Sequence, residues 1–522
     1  MTASGADPLH ELTLGDVLRQ HRRAAPHRTA AVCGEHRFTY AELDERVERL
    51  AAGLRAIGFG PGDRLLWLGQ NCHRVLEGLL AAARLGGIFC PANWRLSSEE
   101  LRFIIDDADP RAIVWQETEI GEAVRAARAA SGRGALWLRH DADGEGTYEA
   151  FLAAGRSDAP DVRIDPASPA LMFHTAAFAG RPNGALLSHA GLMAQAVVMG
   201  MLEEVTASYV YLNCGPLFHI ATFMMTLATF RFGGTNVFLR RIAAEELCRT
   251  IERERANGAY ILGPIAAEIV ELNREGKYDL GSLRVTTANR GFDAMTSPEP
   301  TRWSRRPGGY GQTEAGGLVT FRCLGDGAPL GSHGWPSPIA EVRIAAPDGA
   351  DVPAGEAGEI VVRGPTVMLG YWNRAELTAR RQAGGWHHTT DLGRIESDGS
   401  LAFLGPITRI VKSASENIYP LEVETAIVAH PSVAEAAVIG VPDPVWIQSV
   451  KAIVVLEKGR TATAEELIEH CRGRIASYKK PRFVEFVDRL PRTKTGTIDY
   501  DALDAAFGGG GYPGRHSIPG GV

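Results

Sequence analysis

At 522 residues, with 45% hydrophobic and 22% charged side chains, the chain has room for three or four units of ~150 residues and can bury a large core. Its net charge of −7 gives no electrostatic basis for a nucleic-acid or anionic-membrane partner. Met1 to Asp16 is polar, which reads as no secretory signal, and the apolar stretch Val75–Ala92 is broken by Glu77, Arg84 and glycines. That stretch falls short of the ~20 apolar residues of a membrane span and is predicted to be a core helix leading into a strand.

Helical periodicity marks Val47–Ile57 and Val75–Arg84, and short apolar runs of strand type stand at Ala112–Trp115 and Leu136–Leu138. Further strands are predicted at Leu171–His174, Tyr209–Leu212, Asn236–Leu239 and Tyr260–Gly263. This alternation predicts a layered α/β architecture with mostly parallel sheets. From Gly355 the texture becomes that of a smaller β-rich unit, with strands at Glu359–Arg363, Arg394–Ile395 and Leu401–Leu404. Gly405-Pro406 reads as a linker. Beyond it, strands at Val433–Ile439 and Lys451–Leu456 and a helix at Ala464–Ile475 predict a compact α+β domain. Gly508–Val522 is rich in glycine and proline and is expected to be a disordered tail. The seven cysteines, 33, 72, 90, 214, 248, 323 and 471, have no metal-ligand spacing and read as small buried hydrophobes in a reduced, cytoplasmic protein.

Several segments carry chemistry. Leu171 to His189 has the form strand, glycine-bearing loop, helix, which is either a phosphate cradle or an ordinary strand–turn–helix connection. Gly308-Gly309-Tyr310-Gly311-Gln312-Thr313-Glu314 places an aromatic ring, a hydroxyl and a carboxylate around a glycine turn, suited to a base, a phosphate oxygen and a magnesium ion. Then come Gly385 to Gly393, Ser413 to Glu424 with its Glu-Asn-Ile-Tyr-Pro run, Tyr478 to Arg482, and Leu490 to Thr497.

In this order and spacing the segments resemble the adenylate-forming superfamily, and within it the AMP-forming acyl-CoA ligases, from about Leu14 to Leu503. The resemblance implies a large N-terminal acyl- and adenylate-binding domain (1–404), a hinge (405–408), and a small mobile C-terminal α+β domain (409–507) on the CoA side. It also implies two half-reactions: carboxylate and ATP give acyl-adenylate, and CoA's thiol then displaces AMP. It places Tyr310, Gly311, Thr313, Glu314 and Asp391 at the adenylate, with Arg290-Gly291-Phe292 as an altered adenine wall and Glu314 as a magnesium ligand. CoA would meet Arg95, Ser413, Ala414, Trp446, Tyr478, Lys480 and Arg482. His219, in Pro216-Leu217-Phe218-His219, would line the acyl channel or position the thiol, or else be a packed pocket histidine.

The departures from the family pattern concentrate on ATP chemistry. The phosphate loop T-S-G-T-T-G-x-P-K-G keeps Thr175 but carries Ala176, Ala177, Phe178 and Ala179, and its lysine position is Asn183. The lysine closing P-x-T-x-x-G-K is Thr497, with Lys494 three residues earlier as the alternative cation. The hinge arginine of D-R-x-K is Pro406. Ala414 and Ser415 stand where the pantetheine tunnel usually passes a glycine. Removing one preorganised donor costs ~2.7–4 kcal/mol, so two missing lysines imply a loss on the order of 10⁴ or more in adenylation. Thiolysis of a preformed adenylate asks mainly for positioning.

The chain is therefore expected to be a non-adenylating acyl-CoA ligase, taking acyl-AMP from a separate adenylating partner enzyme and passing the acyl group to CoA. It resembles such ligases of diterpenoid antibiotic biosynthesis. The alternatives are a complete ligase using ATP and magnesium, and a catalytically silent scaffold.

Overall fold

The structure is a computed structural model and describes residues 9, 11–156, 162–175, 181–287, 289–298, 301–325, 331–407, 409–414, 416–493 and 498–512. Two sheets form the N-terminal domain. One has seven strands in the order Gly370–Tyr371, Asn183–Ser188, Pro169–Thr175, Ile88–Pro91, Arg64–Leu68, Ala112–Trp115 and Leu136–Arg139. The other has five, Gly258–Ala259, Val210–Asn213, Thr235–Phe238, Thr29–Cys33 and His36–Thr39. One core cluster joins them, built from Leu65, Phe89 and Leu171 of the first, Ala31, Tyr211 and Phe238 of the second, and the helices Tyr40–Ala56, Arg74–Arg84, His189–Leu202 and Ile220–Arg231.

The helix Arg74–Arg84 is buried on every side from Val75 onward, which explains why its sequence carries no polar face. Its one acid, Glu77, is fully buried; it accepts from Arg46 Nε at 2.6 Å and from the Tyr148 hydroxyl at 2.8 Å. A buried charge persists only with such partners. Among the described residues no helix is long and apolar enough to cross a membrane. None of the seven cysteines is in a disulfide, and six are buried.

The four-stranded antiparallel unit, Glu341–Ala345, Gly358–Arg363, His387–Ile395 and Leu401–Pro406, follows the predicted β-rich stretch. Its last strand continues through Pro406, which pairs with Asp391, so the sheet reaches into the expected hinge. The C-terminal sheet is built from Glu416–Ile418, Val411–Ser413, Ile447–Leu456, Val433–Asp443 and Phe483–Phe486 around the helices Pro420–Val428 and Ala464–Arg472.

Two predicted elements are corrected. The expected strand Tyr260–Gly263 is a two-residue strand at Gly258–Ala259, and Gly263 opens a helix to Leu272 with Pro264 in its first turn. Proline is preorganised there because its missing N–H would lie unpaired in any case. The tail expected to be disordered from Gly508 is instead packed at its start: Tyr512 is buried, and its hydroxyl donates to Asp504 Oδ1 at 2.8 Å and accepts from Gly440 N at 2.9 Å. Residues 513–522 lie outside the described residues.

Candidate active site

A cavity of about 640 Å³ opens between the domains. The N-terminal domain contributes Thr175, the 216–222 segment, Gly309–Glu314 and Thr389–Asp391; the C-terminal domain contributes Lys412, Ala414, Glu416, Asn417 and Tyr419. The glycines of the 308–314 run serve close backbone approach. A Cβ on Gly309 would stand 1.9 Å from the Thr320 carbonyl oxygen, and one on Gly311 would stand 2.1 Å from that of Gly317. This packing turns Tyr310 inward, where its hydroxyl donates to Asp391 Oδ2 at 2.6 Å. Burial raises the Asp391 carboxyl to about 6, against the opposing effect of the Tyr310 hydrogen bond. Glu314 is buried and accepts the Tyr371 hydroxyl at 2.8 Å, while Thr313 lines the cavity beside it.

The second half of the site comes from the C-terminal hairpin Val411–Ser413/Glu416–Ile418, in which Ser413 pairs with Glu416. Its turn holds Ala414 at φ 51, the left-handed conformation that a two-residue hairpin demands and that glycine adopts more easily. Glu416 crosses the domain boundary. It accepts from His219 Nε2 at 3.0 Å and pairs with Arg95. Burial pushes its carboxyl up, but the hydrogen bond and charge of His219, followed by those of Arg95, hold it at about 2. The Glu416 carboxylate can only accept, so the contact puts a proton on His219 Nε2. His219 is itself the residue that caps the helix Ile220–Arg231.

The expected CoA side is partly assembled. Arg95 lies 5.0 Å over the Phe218 ring and 5.3 Å over that of Tyr478, whose hydroxyl accepts from Asn93 Nδ2 at 3.2 Å. Arg482 stands 5.7 Å over Trp446, which is 39% exposed. Lys480 is half-buried, and its amine donates to the Ser477 carbonyl at 3.4 Å. The buried neighbour Lys479, which the motif reading passed over, bridges Glu100 at 2.7 Å and Glu422 at 2.5 Å and so ties the C-terminal domain to the N-terminal one.

One expectation about the adenylate side changes. Arg290, Gly291 and Phe292 form a short helix capped by Asn289, with Arg290 and Gly291 exposed and Phe292 fully buried in a core against Ile269 and Leu283. They do not line the cavity, because the helix turns the aromatic ring into the core. Asn183 is buried within its strand opposite Thr175, whose hydroxyl donates to the Asn183 carbonyl at 3.3 Å. Ala176, Phe178, Lys494 and Thr497 lie outside the described residues. Glu416, Lys412, Tyr419 and Arg381 line the cavity without having been singled out; of these only Glu416 and Tyr419 belong to a recognisable motif, Glu-Asn-Ile-Tyr-Pro.

A two-domain fold with this interdomain cavity defines an adenylate-forming enzyme. The AMP-binding enzyme family model matches residues 18–372 and the model of its C-terminal domain matches 422–497. The chain belongs to this family, among its acyl-CoA ligases. It is 36% identical over 501 residues to feruloyl-CoA synthase of an Amycolatopsis species, covering 95% of this chain and 99% of the relative. It is 34% identical to indoleacetate–CoA ligase of Aromatoleum aromaticum, covering 94% and 97%. The solved amide bond synthetase McbA of Marinactinospora thermotolerans superposes with a TM-score of 0.81 at 26% identity, covering 95% of this chain and all of that one.

Proposed function

We propose that this enzyme carries out the thioester-forming half of the acyl-CoA ligase reaction, transferring the acyl group of a preformed acyl-adenylate to CoA and releasing AMP. The observation that carries the reading is the seat of Glu416. The C-terminal hairpin enters the cavity and grips His219, while the cation expected of the phosphate loop is absent at Asn183. In the reaction the thiol sulfur attacks the acyl carbon, the C–S bond forms, and the C–O bond to the phosphate breaks with its electron pair leaving on AMP. In this reading His219, with its proton on Nε2, would take the thiol proton at Nδ1. Asp391 holds the ribose hydroxyls and Thr313 the phosphate.

The adenylate comes from a separate adenylating enzyme. The suspected resemblance to the non-adenylating ligase of platensimycin and platensin biosynthesis would imply a bulky, diterpenoid-derived acyl group. A second reading is a complete ligase, in which Lys494 or another cation supports adenylation by ATP and magnesium; the names of the relatives favour it, and they point to aryl acids. Exchange of labelled pyrophosphate into ATP in the presence of candidate acids separates the two. The proposal expects no exchange above the enzyme-free blank, and exchange dependent on acid establishes the complete ligase.

A further inference from the structure

The hairpin Val411–Ser413/Glu416–Ile418 is thinly tied to the rest of its sheet. Its ladder to the long strand Ile447–Leu456 is one residue pair, Ser413 with Ile447, beside a single bond from Ala414 N to the Trp446 carbonyl at 2.8 Å. A two-stranded hairpin is marginal by itself, so the seat of Glu416 on His219 needs further support.

Gln448 supplies it. This side chain is fully buried, and its Oε1 accepts from the backbone N–H of Lys412, in the hairpin's first strand, at 2.7 Å. Its Nε2 donates at 2.5 Å to the carbonyl of Gly510, in the run Gly508–Tyr512 that follows the last helix. Gly440 leaves room for the amide, since a Cβ there would stand 2.5 Å from Gln448 Nε2. The glycine run is itself fastened. Gly510 N donates to the Gly440 carbonyl, and Gly440 N donates to the Tyr512 hydroxyl, both at 2.9 Å. That hydroxyl also accepts from Arg409 Nη1 at 2.9 Å, and the same nitrogen reaches Asp504 at 2.7 Å. Arg409 lies just ahead of the hairpin's first strand, so the C-terminal run straps that strand at Arg409 and, through Gln448, at Lys412. Only glycine suits this path: a Cβ on Gly509 would stand 1.9 Å from Asp504 Oδ1, and Gly508 and Gly511 hold φ at 77 and 70.

We infer that Gln448 and the strap Gly508–Tyr512 are positioning elements of the thioester-forming step, holding the hairpin in the place that presents Glu416 to His219. Neither lines the cavity; both act through Glu416. The inference rests on the thioester-forming step proposed above, and it holds whether or not the enzyme also makes the adenylate.

Single-turnover thioester formation from synthetic acyl-adenylate and CoA tests it in the full chain. Gln448→Leu keeps the approximate volume and removes both hydrogen bonds, and is expected to slow the reaction about tenfold. Tyr512→Phe removes one oxygen, leaves the ring and the buried amide in place, and is expected to slow it about fivefold. In a Glu416→Ala background each should cost less than about twofold more, because the carboxylate they position is gone. Either variant reacting at the wild-type rate overturns the inference. So do losses that multiply fully with that of Glu416→Ala, which assign the strap to general stability. Tyr512→Phe carries the test even where Gln448→Leu does not fold. A wild type that forms no thioester overturns the proposed step and the inference together, whereas a wild-type rate kept by the variants overturns the inference alone.

Discussion

Glu416 of the C-terminal hairpin accepts a hydrogen bond from Nε2 of His219, at the head of an N-terminal-domain helix, across 3.0 Å. This contact joins domain docking to the chemistry, because the same carboxylate that seats the hairpin also puts a proton on Nε2 of the histidine. Glu416→Gln keeps the shape and removes the charge that pairs with Arg95. A hydrogen bond to a charged group contributes ~1.5–3 kcal/mol, so thioester formation from acyl-adenylate should fall about 10- to 100-fold in a single-turnover assay. AMP affinity should stay unchanged, since Glu416 does not hold the nucleotide.

Asp391 gives the site a pH dependence. Its carboxyl titrates near 6, raised by burial above the ordinary value of 3.8. In the proposed site the ionised form would accept from the ribose hydroxyls, so AMP affinity should be level above about pH 7 and fall about tenfold per unit well below 6. Without ligand the sign reverses. The protonated form is favoured in the folded state, so the stability contribution of Asp391 is full below about 3.8 and is lost as pH rises through about 6. Asp391→Asn should flatten both profiles and bind AMP weakly at every pH; calorimetry and thermal melts between pH 5 and 8 read them.

Lys479 sits between Glu100 of one domain and Glu422 of the other. Lys479→Met leaves two largely buried carboxylates facing each other without their cation. Breaking a buried pair in this way costs ~3–5 kcal/mol, and urea unfolding should show a loss of that order. Limited proteolysis near residues 406–408 should be faster, because the docked position of the C-terminal domain loses its clamp.

Ile447 holds φ at 73 although it is β-branched, and its side chain is 52% exposed. Strain at such a position is on the order of 1–3 kcal/mol, and the chain-entropy cost of glycine is roughly 0.5–1 kcal/mol. Ile447→Gly should therefore stabilise the protein by about 1 kcal/mol, seen as a higher denaturation midpoint with an unchanged m-value.

Much of the fold was legible because burial patterns in the chain follow the period of each element. Ala112–Trp115 reads as an apolar run of strand type and is a fully buried strand, and Val75–Arg84 reads as a core helix and is one. The strand expected at Tyr260–Gly263 failed because a four-residue apolar run has no period of its own, and Pro264 in a helix's first turn settled the matter. Within the site, Tyr310, Asp391 and Glu314 were found through motif spacing. Phe292 was misplaced because aromatic type says nothing about which way a short helix turns it. Lys479 carries no local signal; it acquires meaning only from side chains more than 50 residues away in sequence.

The central claim is tested by supplying the purified enzyme with CoA and either free acid plus ATP and magnesium, or synthetic acyl-adenylate, and measuring thioester and pyrophosphate. The account predicts thioester from the adenylate alone. It also predicts that the double substitution Asn183→Lys with Thr497→Lys leaves that rate within about twofold, because neither position serves thiolysis. Stoichiometric thioester and pyrophosphate from acid and ATP, with no partner enzyme present, would contradict it.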